Sequence, residues 1–526
     1  MNFDESSTVL VSQEFTAVVL AGFGNEQVHA RALLPLTGNN GDETCPKALL
    51  PIANKPMIEY PLAWIEQSGI RDVLLICPAP HRSALSNYIQ SDSSTSFPSL
   101  RIDLQTYDET QESAVGTCSI LRHFSQRIQH DFVLLPCDFV PPDSLPLSQI
   151  VNKFRTESTY DGSIATACFY EARRPEKAGS SDEWGVLPSP VSIVWDERTG
   201  TLLYIDTPDD VDKNGEEIEL RMSLLSHRYP RAKLCANMND SHTYVCRRHV
   251  LDALQEKTRL DSIREEFIPW LCKPQYQRTR REKYGSVLSP LSNTSSQGLA
   301  LRHSTIYTDI HRHHHHYHRG LASPVDPGDG LIRSVAASPV DEAEEATVPS
   351  LRVGLLVHRA EQGYAARANT LHAYLELNRH FLAQTTYSLP TDSTSRSLID
   401  QKAQISSDSM IGLFTRVDER TTVKKSVIGQ HCVIGKMARI VGCVILDHCV
   451  VEDGAKLDGC ILGKNTKVEA KAELSRCVTQ AGYEVGTGET FKNEKLEVTD
   501  WTAETQSSDE DEDKEQEDSP TGDDSD

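Results

Sequence analysis

The chain has 526 residues, of which 38% are hydrophobic and 25% are charged. This length predicts two or more domains, because a single hydrophobic core stops growing at roughly 250–300 residues. The formal net charge of −23 disfavours direct binding to nucleic acid, because phosphates are bound at basic surfaces.

The sequence also argues against membrane and secreted proteins. No apolar run of about eighteen residues is present to cross a bilayer, and the stretch "MNFDESSTVL" does not resemble a signal peptide. The 13 cysteines form no CxxC pair, which indicates reduced thiols rather than disulfides or a zinc site. We therefore expect a cytoplasmic protein of the cytosol.

After a disordered start at residues 1–14, the chain alternates apolar β-rich runs with amphipathic helical stretches. Residues 15–274 and 351–385 follow this pattern, which is typical of an α/β domain whose parallel sheet is covered by helices on both faces. The predicted strands are "FTAVVL", "DVLLIC", "RIDLQTY", "DFVLLPCD", "GSIATACFY", "SIVWDE" and "SLRVGLLVH". The predicted helices are "MIEYPLAWIEQSG", "ESAVGTCSILRHFSQRI" and "RANTLHAYLELNRHFL".

Residues 275–350 interrupt this domain with a Ser-, Pro-, Gly-, Arg- and His-rich stretch. No hydrophobic periodicity supports a core there, so we predict a disordered insertion. Its segment "HRHHHHYHRG" could ligate a transition metal, but a metal site needs fixed geometry and supporting hydrogen bonds. A flexible His-rich loop is the favoured interpretation.

Residues 400–480 carry a repeat of apolar positions at steps of six, six and five, which closes a coil every 17 residues. Three columns result: Ile411, Ile428, Ile445, Leu462; Val417, Ile434, Val451, Val468; and Val423, Ile440, Leu457, Leu474. One coil cannot bury its apolar side chains alone, whereas stacked coils can. The pattern predicts a triangular, parallel β-helix.

Small residues recur in the same repeat and predict where the chain bends inward. Cys443, Cys460 and Cys477 share one position of successive coils, so their thiols should stack about 4.8 Å apart. A ladder of metal ligands is conceivable, but small buried hydrophobes that fill a narrow interior are the favoured interpretation.

The carboxyl-terminal stretch is strongly acidic. Residues 501–526 contain twelve acids and one lysine, about half of the net charge, and residues 502–526 are predicted to be a disordered tail. Binding to a basic partner and a purely solubilising role both remain open.

The amino-terminal domain resembles the sugar-nucleotide pyrophosphorylase superfamily. The resemblance rests on "LAG", "LLPLT", "CPKALLPIANKPMIEYPLAWIEQSGIRDVLLI" and "LLPCDFV", in that order. It implies a nucleotidyltransferase-like (Rossmann-like) mixed-sheet domain followed by a left-handed parallel β-helix. It also implies that Lys47 matches a phosphate-contacting lysine and Asp138 a Mg²⁺-binding aspartate. Without that chemistry, Lys47 would be a surface lysine and Asp138 would cap the turn after its strand.

The phosphate loop departs from the superfamily pattern, which is a nearly continuous run of glycines followed closely by an arginine. Here Gly22 and Gly24 are separated by Phe23, and Arg31 lies several residues late. A bulky side chain where backbone must approach phosphate predicts weak or absent triphosphate binding. The nearest candidate for a second metal ligand is Asp206 in "YIDTPDD". We therefore treat Gly22, Gly24, Lys47 and Asp138 as vestigial nucleotide or metal positions, and expect no catalytic residue, metal or cofactor.

Over most of its ordered length the chain resembles the gamma-subunit family of translation initiation factor 2B. The motifs that carry the resemblance, in chain order, are "PKALLPIANKPMIEYPLAW", "DFVLLPCDFV", "DSHTYVCRRHVLD", "SIREEFIPWLCKPQY", "RANTLHAYLELNR" and the 17-residue coils. The related epsilon family adds a helical catalytic domain, whereas this sequence continues from the coils into the acidic tail, which favours gamma.

The resemblance implies a noncatalytic subunit of a guanine-nucleotide exchange complex. Its partners would be the epsilon subunit, the alpha, beta and delta subunits, and initiation factor 2 as substrate, without DNA or membrane. One alternative is a sugar-1-phosphate nucleotidyltransferase such as a mannose-1-phosphate guanylyltransferase, which Lys47 and Asp138 favour and the loop disfavours. An acyltransferase or trimeric scaffold built on the β-helix is a third hypothesis.

Overall fold

The chain divides into two compact units in a computed structural model. Unit 1 is Met1–Leu34 with Glu43–Phe381, and unit 2 is Pro35–Asp42 with Leu382–Asp526. The residues that the structure describes are 14–22, 33–38, 44–93, 96–108, 116–172, 190–207, 218, 220, 224, 229, 231–289, 350–385 and 389–498. Residues 1–13, Gly24, the His-rich stretch and the acidic tail lie outside them. Within those ranges, every helix is too short or too polar to span a bilayer.

Unit 1 is built on a nine-stranded mixed sheet. Its strands are β1 (Phe15–Leu20), β4 (Asp72–Pro78), β5 (Arg101–Tyr107), β6 (Asp131–Pro136), β8 (Ala165–Glu171), β9 (Val191–Asp196), β10 (Thr201–Ile205), β11 (Ala232–Cys246) and β12 (Val353–His358). Two short pairs lie outside the sheet: β2 (Pro51–Ile52) with β3 (Lys55–Pro56), and β7 (Phe139–Val140) with β13 (Ala366–Arg367).

The sheet is parallel in one half and mixed in the other. Its order is β5-β4-β1-β6-β11-β8-β12-β10-β9, and strands β5, β4, β1 and β6 are parallel. The fifteen-residue strand β11 runs antiparallel to both β6 and β8, at the centre of the sheet. The sheet is therefore mixed, as the family resemblance implied, rather than wholly parallel, as the alternation of elements suggested.

Helices and two hydrophobic cores cover the sheet. The helices of unit 1 are α1 (Glu59–Gln67), α2 (Arg82–Tyr88), α3 (Thr117–Phe124), α4 (Leu147–Tyr160), α5 (His249–Glu256), α6 (Ile268–Leu271), α7 (Arg278–Leu288) and α8 (Leu371–Gln384). Alternate residues of β1 enter different cores: Val18 joins one cluster, while Ala17 and Val19 join the other. This alternation is what a sheet buried on both faces requires.

The expected insertion begins later than residue 275. Helix α7 occupies Arg278–Leu288, and Tyr284 and Leu288 are buried in the core. The amphipathic signal was missed because the helix is rich in arginine and only two of its side chains are buried. Residues 290–349 lie outside the described part of the chain, which continues at Ser350 with the buried Leu351 and strand β12.

Unit 2 is a parallel β-helix preceded by a short helix, α9 (Ser393–Ser397). One sheet contains β14 (Gln404–Ile405), β17 (Thr422–Lys424), β20 (Arg439–Val441), β23 (Lys456–Asp458), β26 (Glu473–Ser475) and β29 (Thr490–Lys492). The second contains β15 (Met410–Ile411), β18 (Val427–Ile428), β21 (Val444–Ile445), β24 (Ile461–Leu462), β27 (Val478–Thr479) and β30 (Lys495–Leu496). The third contains β16 (Arg416–Val417), β19 (Val433–Ile434), β22 (Val450–Val451), β25 (Lys467–Val468) and β28 (Glu484–Val485).

The three predicted columns form the interior of this β-helix. Partners in register are separated by 17 residues, as in Ile428↔Ile445, Ile434↔Val451 and Ile440↔Leu457. The coils continue to Leu496, one turn beyond the expected end at residue 480. The repeat is harder to see there because polar and aromatic residues such as Phe491 replace the aliphatic ones.

The predicted thiol column is also present. The backbone N–H of Cys460 donates to the Cys443 sulfur at 3.4 Å, and Cys477 is buried in the next coil. The neighbouring Cys460 thiol, with burial, raises the pKa of Cys477 well above its usual range. No group of three or more His, Cys, Asp or Glu side chains in the described ranges could hold a metal ion. The arrangement fits small buried hydrophobes.

Candidate functional site

The candidate site lies at the carboxyl ends of neighbouring parallel strands. Leu20 of β1 is paired with Pro136 of β6, and Gly22 and Asp138 each follow two residues later. Strand β1 has β4 on its other side, so the chain passes to both sides of β1. Such a switch in strand order opens the crevice where α/β proteins commonly bind ligands.

Asp138 forms ion pairs with two cations in this crevice. Its Oδ1 accepts a hydrogen bond from Arg367 Nε at 2.9 Å, and its Oδ2 accepts one from Arg367 Nη2 at 3.0 Å. Oδ2 also accepts a hydrogen bond from the Lys47 ammonium. The Asp138 side chain is only 2% exposed. Burial alone would raise the pKa of Asp138, but Arg367 and Lys47 hold it well below its usual range.

Lys47 reaches Asp138 because the "PKALLPIANKP" segment folds into a rigid unit. Lys47 opens a short 3₁₀ helix after Pro46, and the following β2–β3 pair turns through Ala53 and Asn54 at positive φ. Helix α8 secures the turn: the Ala53 N–H donates to Asn378 Oδ1 at 2.9 Å, and the Tyr374 hydroxyl donates to the Pro51 carbonyl. The segment "PKALLPIANKP" and the motif "RANTLHAYLELNR", which are far apart in the sequence, are therefore joined by hydrogen bonds in the fold.

Arg367 is one of the site residues that sequence reasoning missed, together with His242 and Asp240. It lies in β13, whose Ala366 and Arg367 pair antiparallel with Val140 and Phe139 of β7, directly after Asp138. The Ala368 N–H donates to the Asp138 carbonyl at 2.8 Å. Arg367 opens the family motif "RANTLHAYLELNR", which was the available signal. The motif by itself does not reveal that Asp138, 229 positions earlier, is its partner.

A bulge in β11 completes the cluster. The register between β11 and β8 shifts between Asp240 and Thr243, and His242 adopts a φ of 56°. His242 Nε2 lies 2.7 Å from Arg367 Nη1 and must accept the hydrogen bond, so the imidazole is neutral with its proton on Nδ1. Burial and Arg367 hold the pKa of His242 well below its usual range. Bulges of this kind often re-aim side chains at functional sites.

Asp240 lies behind His242 and supports the bulge. Its carboxylate accepts hydrogen bonds from the His242 N–H at 2.8 Å and from the Tyr244 hydroxyl. Burial raises the pKa of Asp240. The nearby Arg264, on a short helix at Ile263–Phe267, acts against that rise. Asp138 is thus the carboxylate with direct cationic partners, and Asp240 is satisfied by neutral donors.

The residues around Asp138 do not fit a divalent metal. Mg²⁺ is usually bound through one or two carboxylates together with water and substrate phosphate. Here both oxygens of Asp138 already accept hydrogen bonds from cations, and the next neighbour of Arg367 is a neutral imidazole. A divalent ion would have to displace two positively charged groups.

The remaining site candidates do not join this cluster. Asp206 follows β10, and its N–H donates to the Ser192 carbonyl of β9 at 2.8 Å. Strands β6 and β10 are four places apart in the sheet, roughly 19 Å at the usual strand spacing. Asp206 is therefore not positioned to share a metal with Asp138. Gly22 lies at the crevice edge, and Gly24 lies outside the described residues.

Comparison with known proteins assigns both units to families. Residues 26–180 match the nucleotidyl transferase model, and residues 393–491 match that of the EIF2B subunit epsilon LbH domain, a left-handed β-helix. A relative from Schizosaccharomyces pombe, named translation initiation factor eIF2B subunit gamma, is 36% identical over 283 residues. The chain is thus similar to proteins named eIF2B subunit gamma. The predicted resemblance is confirmed, as are the nucleotidyltransferase-like domain and the left-handed β-helix.

Two further relatives also carry eIF2B subunit names. A Dictyostelium discoideum protein named eIF2B subunit gamma is 22% identical over 416 residues, which cover 75% of this chain and 84% of the relative. A Dictyostelium protein named eIF2B subunit epsilon is 24% identical over 224 residues, or 42% of this chain and 29% of the relative. The Schizosaccharomyces match covers 53% of this chain and about half of the relative, 56%. Relatives of this chain are thus named as subunits of a translation factor.

Proposed function

We propose that the chain is the noncatalytic gamma subunit of an eIF2B-type guanine-nucleotide exchange complex. In this role it supports GDP/GTP exchange on initiation factor 2 in the cytosol by scaffolding a catalytic epsilon subunit, within a complex that also contains alpha, beta and delta subunits. The observation that carries the proposal is the match to gamma-named relatives, one of them along 75% of the chain.

The geometry at Asp138 supports a noncatalytic role. Nucleotidyl transfer requires cations that neutralise charge on the triphosphate and position it for in-line attack. Lys47, the matched phosphate lysine, instead pairs with Asp138, and Arg367 occupies both oxygens of that carboxylate. The groups that would contact substrate in an active enzyme are thus committed to each other.

The β-helix supports a role in association. Its coils follow one another at 17-residue intervals from Gln404 to Leu496 without an intervening long loop. Stacked coils give a rigid wall whose outer residues vary while the interior columns persist. Such a surface suits the binding of other subunits, and it lacks the protruding loop expected of a β-helix acyltransferase.

The decisive experiment tests partnership and exchange together. The chain, co-expressed with an epsilon subunit, is expected to co-purify with it, and the pair should release labelled GDP from initiation factor 2 faster than epsilon alone. The matched control is the same pair with interior Ile440→Asp, which introduces a charge into a fully buried column and should abolish co-purification. Recovery of the chain only as a homotrimer would instead favour the acyltransferase or scaffold hypothesis.

A second assay separates this proposal from the enzyme alternative. The purified chain, supplied with nucleoside triphosphate, a sugar 1-phosphate and Mg²⁺, is expected to release no pyrophosphate. Release that disappears in Asp138→Ala would overturn the noncatalytic assignment and favour a sugar-1-phosphate nucleotidyltransferase.

A further inference from the structure

The geometry points to Arg367 as a built-in replacement for a divalent cation at Asp138: we infer that its guanidinium occupies the cation position and excludes Mg²⁺ and Mn²⁺. The guanidinium lies side-on to the carboxylate, with Nε on one oxygen at 2.9 Å and Nη2 on the other at 3.0 Å. This bidentate arrangement uses both oxygens of the group that a metal would need.

Backbone hydrogen bonds on both sides of Arg367 fix its position beside Asp138. Arg367 is flanked by two anchors, the β13–β7 pairing at Ala366 and the hydrogen bond from Ala368 N–H to the Asp138 carbonyl. Arg367 is therefore tethered beside the carboxylate at a high effective concentration. A free cation would compete against an intramolecular partner.

Neighbouring groups reinforce the exclusion. The third nitrogen of the guanidinium, Nη1, lies 2.7 Å from His242 Nε2, which fixes the plane of the group from the side opposite Asp138. Lys47 adds a second positive charge on Asp138 Oδ2. Asp240, the other carboxylate of the cluster, accepts hydrogen bonds from the Tyr244 hydroxyl and the His242 N–H. A divalent ion approaching Asp138 would meet repulsion from two cations at short range.

Removal of the guanidinium should reopen the position. In Arg367→Ala, Oδ1 of Asp138 loses its hydrogen-bond donor, and the space of the long side chain becomes available to a hydrated cation. The buried Asp138 carboxylate then keeps one cationic neighbour, Lys47, and a further positive charge beside it would stabilise it. The change should convert a site that excludes Mn²⁺ into one that binds it.

The test is a Mn²⁺ titration of the full chain, read as loss of the electron paramagnetic resonance signal of free Mn²⁺. Wild type and Asp138→Asn are expected to show the same weak binding, and Arg367→Ala a new site at least tenfold tighter. The double variant Arg367→Ala with Asp138→Asn should lose that site. Arg359→Ala, which removes an exposed arginine from the same segment, should behave as wild type.

Two outcomes would overturn the inference. One is Mn²⁺ binding by wild type that Asp138→Asn removes; the other is a natively folded Arg367→Ala, by circular dichroism, without the new site. If Arg367→Ala does not fold, Arg367→Met keeps the apolar stem and takes its place, and the comparison of wild type with Asp138→Asn still decides whether the position excludes the ion. Cation exclusion is measured on the chain alone, so a negative result would leave the exchange assays untouched.

Discussion

At the residue scale, the function of Asp138 is set by its neighbours rather than by its own identity. The same strand-end carboxylate could bind a metal, cap a turn or anchor an ion pair. Arg367 and Lys47 select the ion pair, since both are within hydrogen-bonding distance of an almost fully buried carboxylate. A buried charge that loses its partner is costly, whereas a fully paired one is tolerated.

The first prediction concerns the loss of that pair. Asp138→Asn leaves the two cations without a countercharge, so the free energy of unfolding at pH 7.5 should fall by about 3–5 kcal/mol in urea denaturation. Asp143→Asn, at an exposed position of the same loop, should change it by less than about 0.5 kcal/mol. Equal stability of wild type and Asp138→Asn would mean that the pair does not stabilise the fold.

The effect of this pair should be independent of pH near neutrality. A folded-state pKa below the usual Asp value means that the stabilisation is present above the unfolded pKa, about 3.9, and is lost only as the pH falls below it. The difference between wild type and Asp138→Asn should therefore be the same from about pH 8 to about pH 5.

The second prediction is that protonation of His242 makes the stability of the fold depend on pH between about pH 8 and about pH 5. Its folded pKa is lowered by burial and by Arg367, with Arg264 and Lys47 acting the same way and Asp138 opposing them. Below about pH 6.5 the unfolded chain therefore binds a proton that the folded chain does not bind. The free energy of unfolding then falls as the pH decreases, by up to about 1.4 kcal/mol per pH unit.

Urea denaturation at pH 7.5, 6.5 and 5.5 measures this slope. His242→Asn, which suits the positive φ, should have a shallower dependence on pH than wild type. His123→Asn, at an exposed position of α3, should retain the wild-type slope. An identical slope in wild type and His242→Asn would show that His242 is protonated in the folded chain.

At the element scale, the corners of the β-helix depend on contacts between coils that the repeat did not reveal. Asp447 Oδ1 accepts a hydrogen bond from the Gln430 N–H at 2.7 Å, and Asp453 Oδ1 accepts one from the Lys436 N–H at 2.6 Å. Each aspartate lies in the coil after the corner that it stabilises. The glycine before each donor leaves room for this approach, because a Cβ on Gly429 would lie 2.5 Å from Asp447 Oδ1.

The third prediction tests that close approach. Gly429→Ala should reduce the free energy of unfolding by about 1–3 kcal/mol, because the added methyl group also meets the Asp447 backbone N at 2.8 Å, which cannot move cheaply. Val433→Ala, at a 40% exposed position of β19, serves as the control and should cost under about 1 kcal/mol. Urea denaturation of the full chain, followed by circular dichroism, measures the stability of both variants. A Gly429→Ala variant as stable as wild type would contradict the prediction.

Periodic elements were predictable because the spacing of their apolar side chains indicates which positions are buried. The interior columns are apolar in the coils from Ile411 to Leu474, and strands β1, β4 and β6 of the parallel half of the sheet are nearly continuous apolar runs. Strand β11 was missed because its first half is polar and partly exposed, and only its second half, from Thr243, reads as a buried strand. Its central position therefore had no local signal.

At the scale of the whole chain, the two sides of the long interruption in unit 1 converge on one core. Leu288 ends α7 and Leu351 precedes β12, and both are buried in the same cluster. A Cβ on Gly285 would lie 3.6 Å from Leu351 Cδ1. The ends of the intervening segment are therefore already close in the folded domain.

The fourth prediction follows from that proximity. Replacement of residues 291–348 by an eight-residue Gly/Ser linker should leave unit 1 folded. The shorter loop costs less entropy to close, so the free energy of unfolding should rise by up to about 2 kcal/mol. Differential scanning calorimetry of the two proteins gives the comparison. A lower melting temperature in the shortened chain would show that the removed residues contribute to the fold.

The sequence by itself determined the two-part architecture, the 17-residue coil and the similarity to eIF2B gamma subunits, since each depends on patterns that lie along the chain. It also located Lys47 and Asp138 and noted the altered glycine loop. Only the tertiary structure decided that Asp138 is paired with Arg367, because that contact joins residues 229 positions apart through a two-residue strand without a periodic signal. Ion pairing depends on distance in space, and distance in space is what a single sequence does not contain.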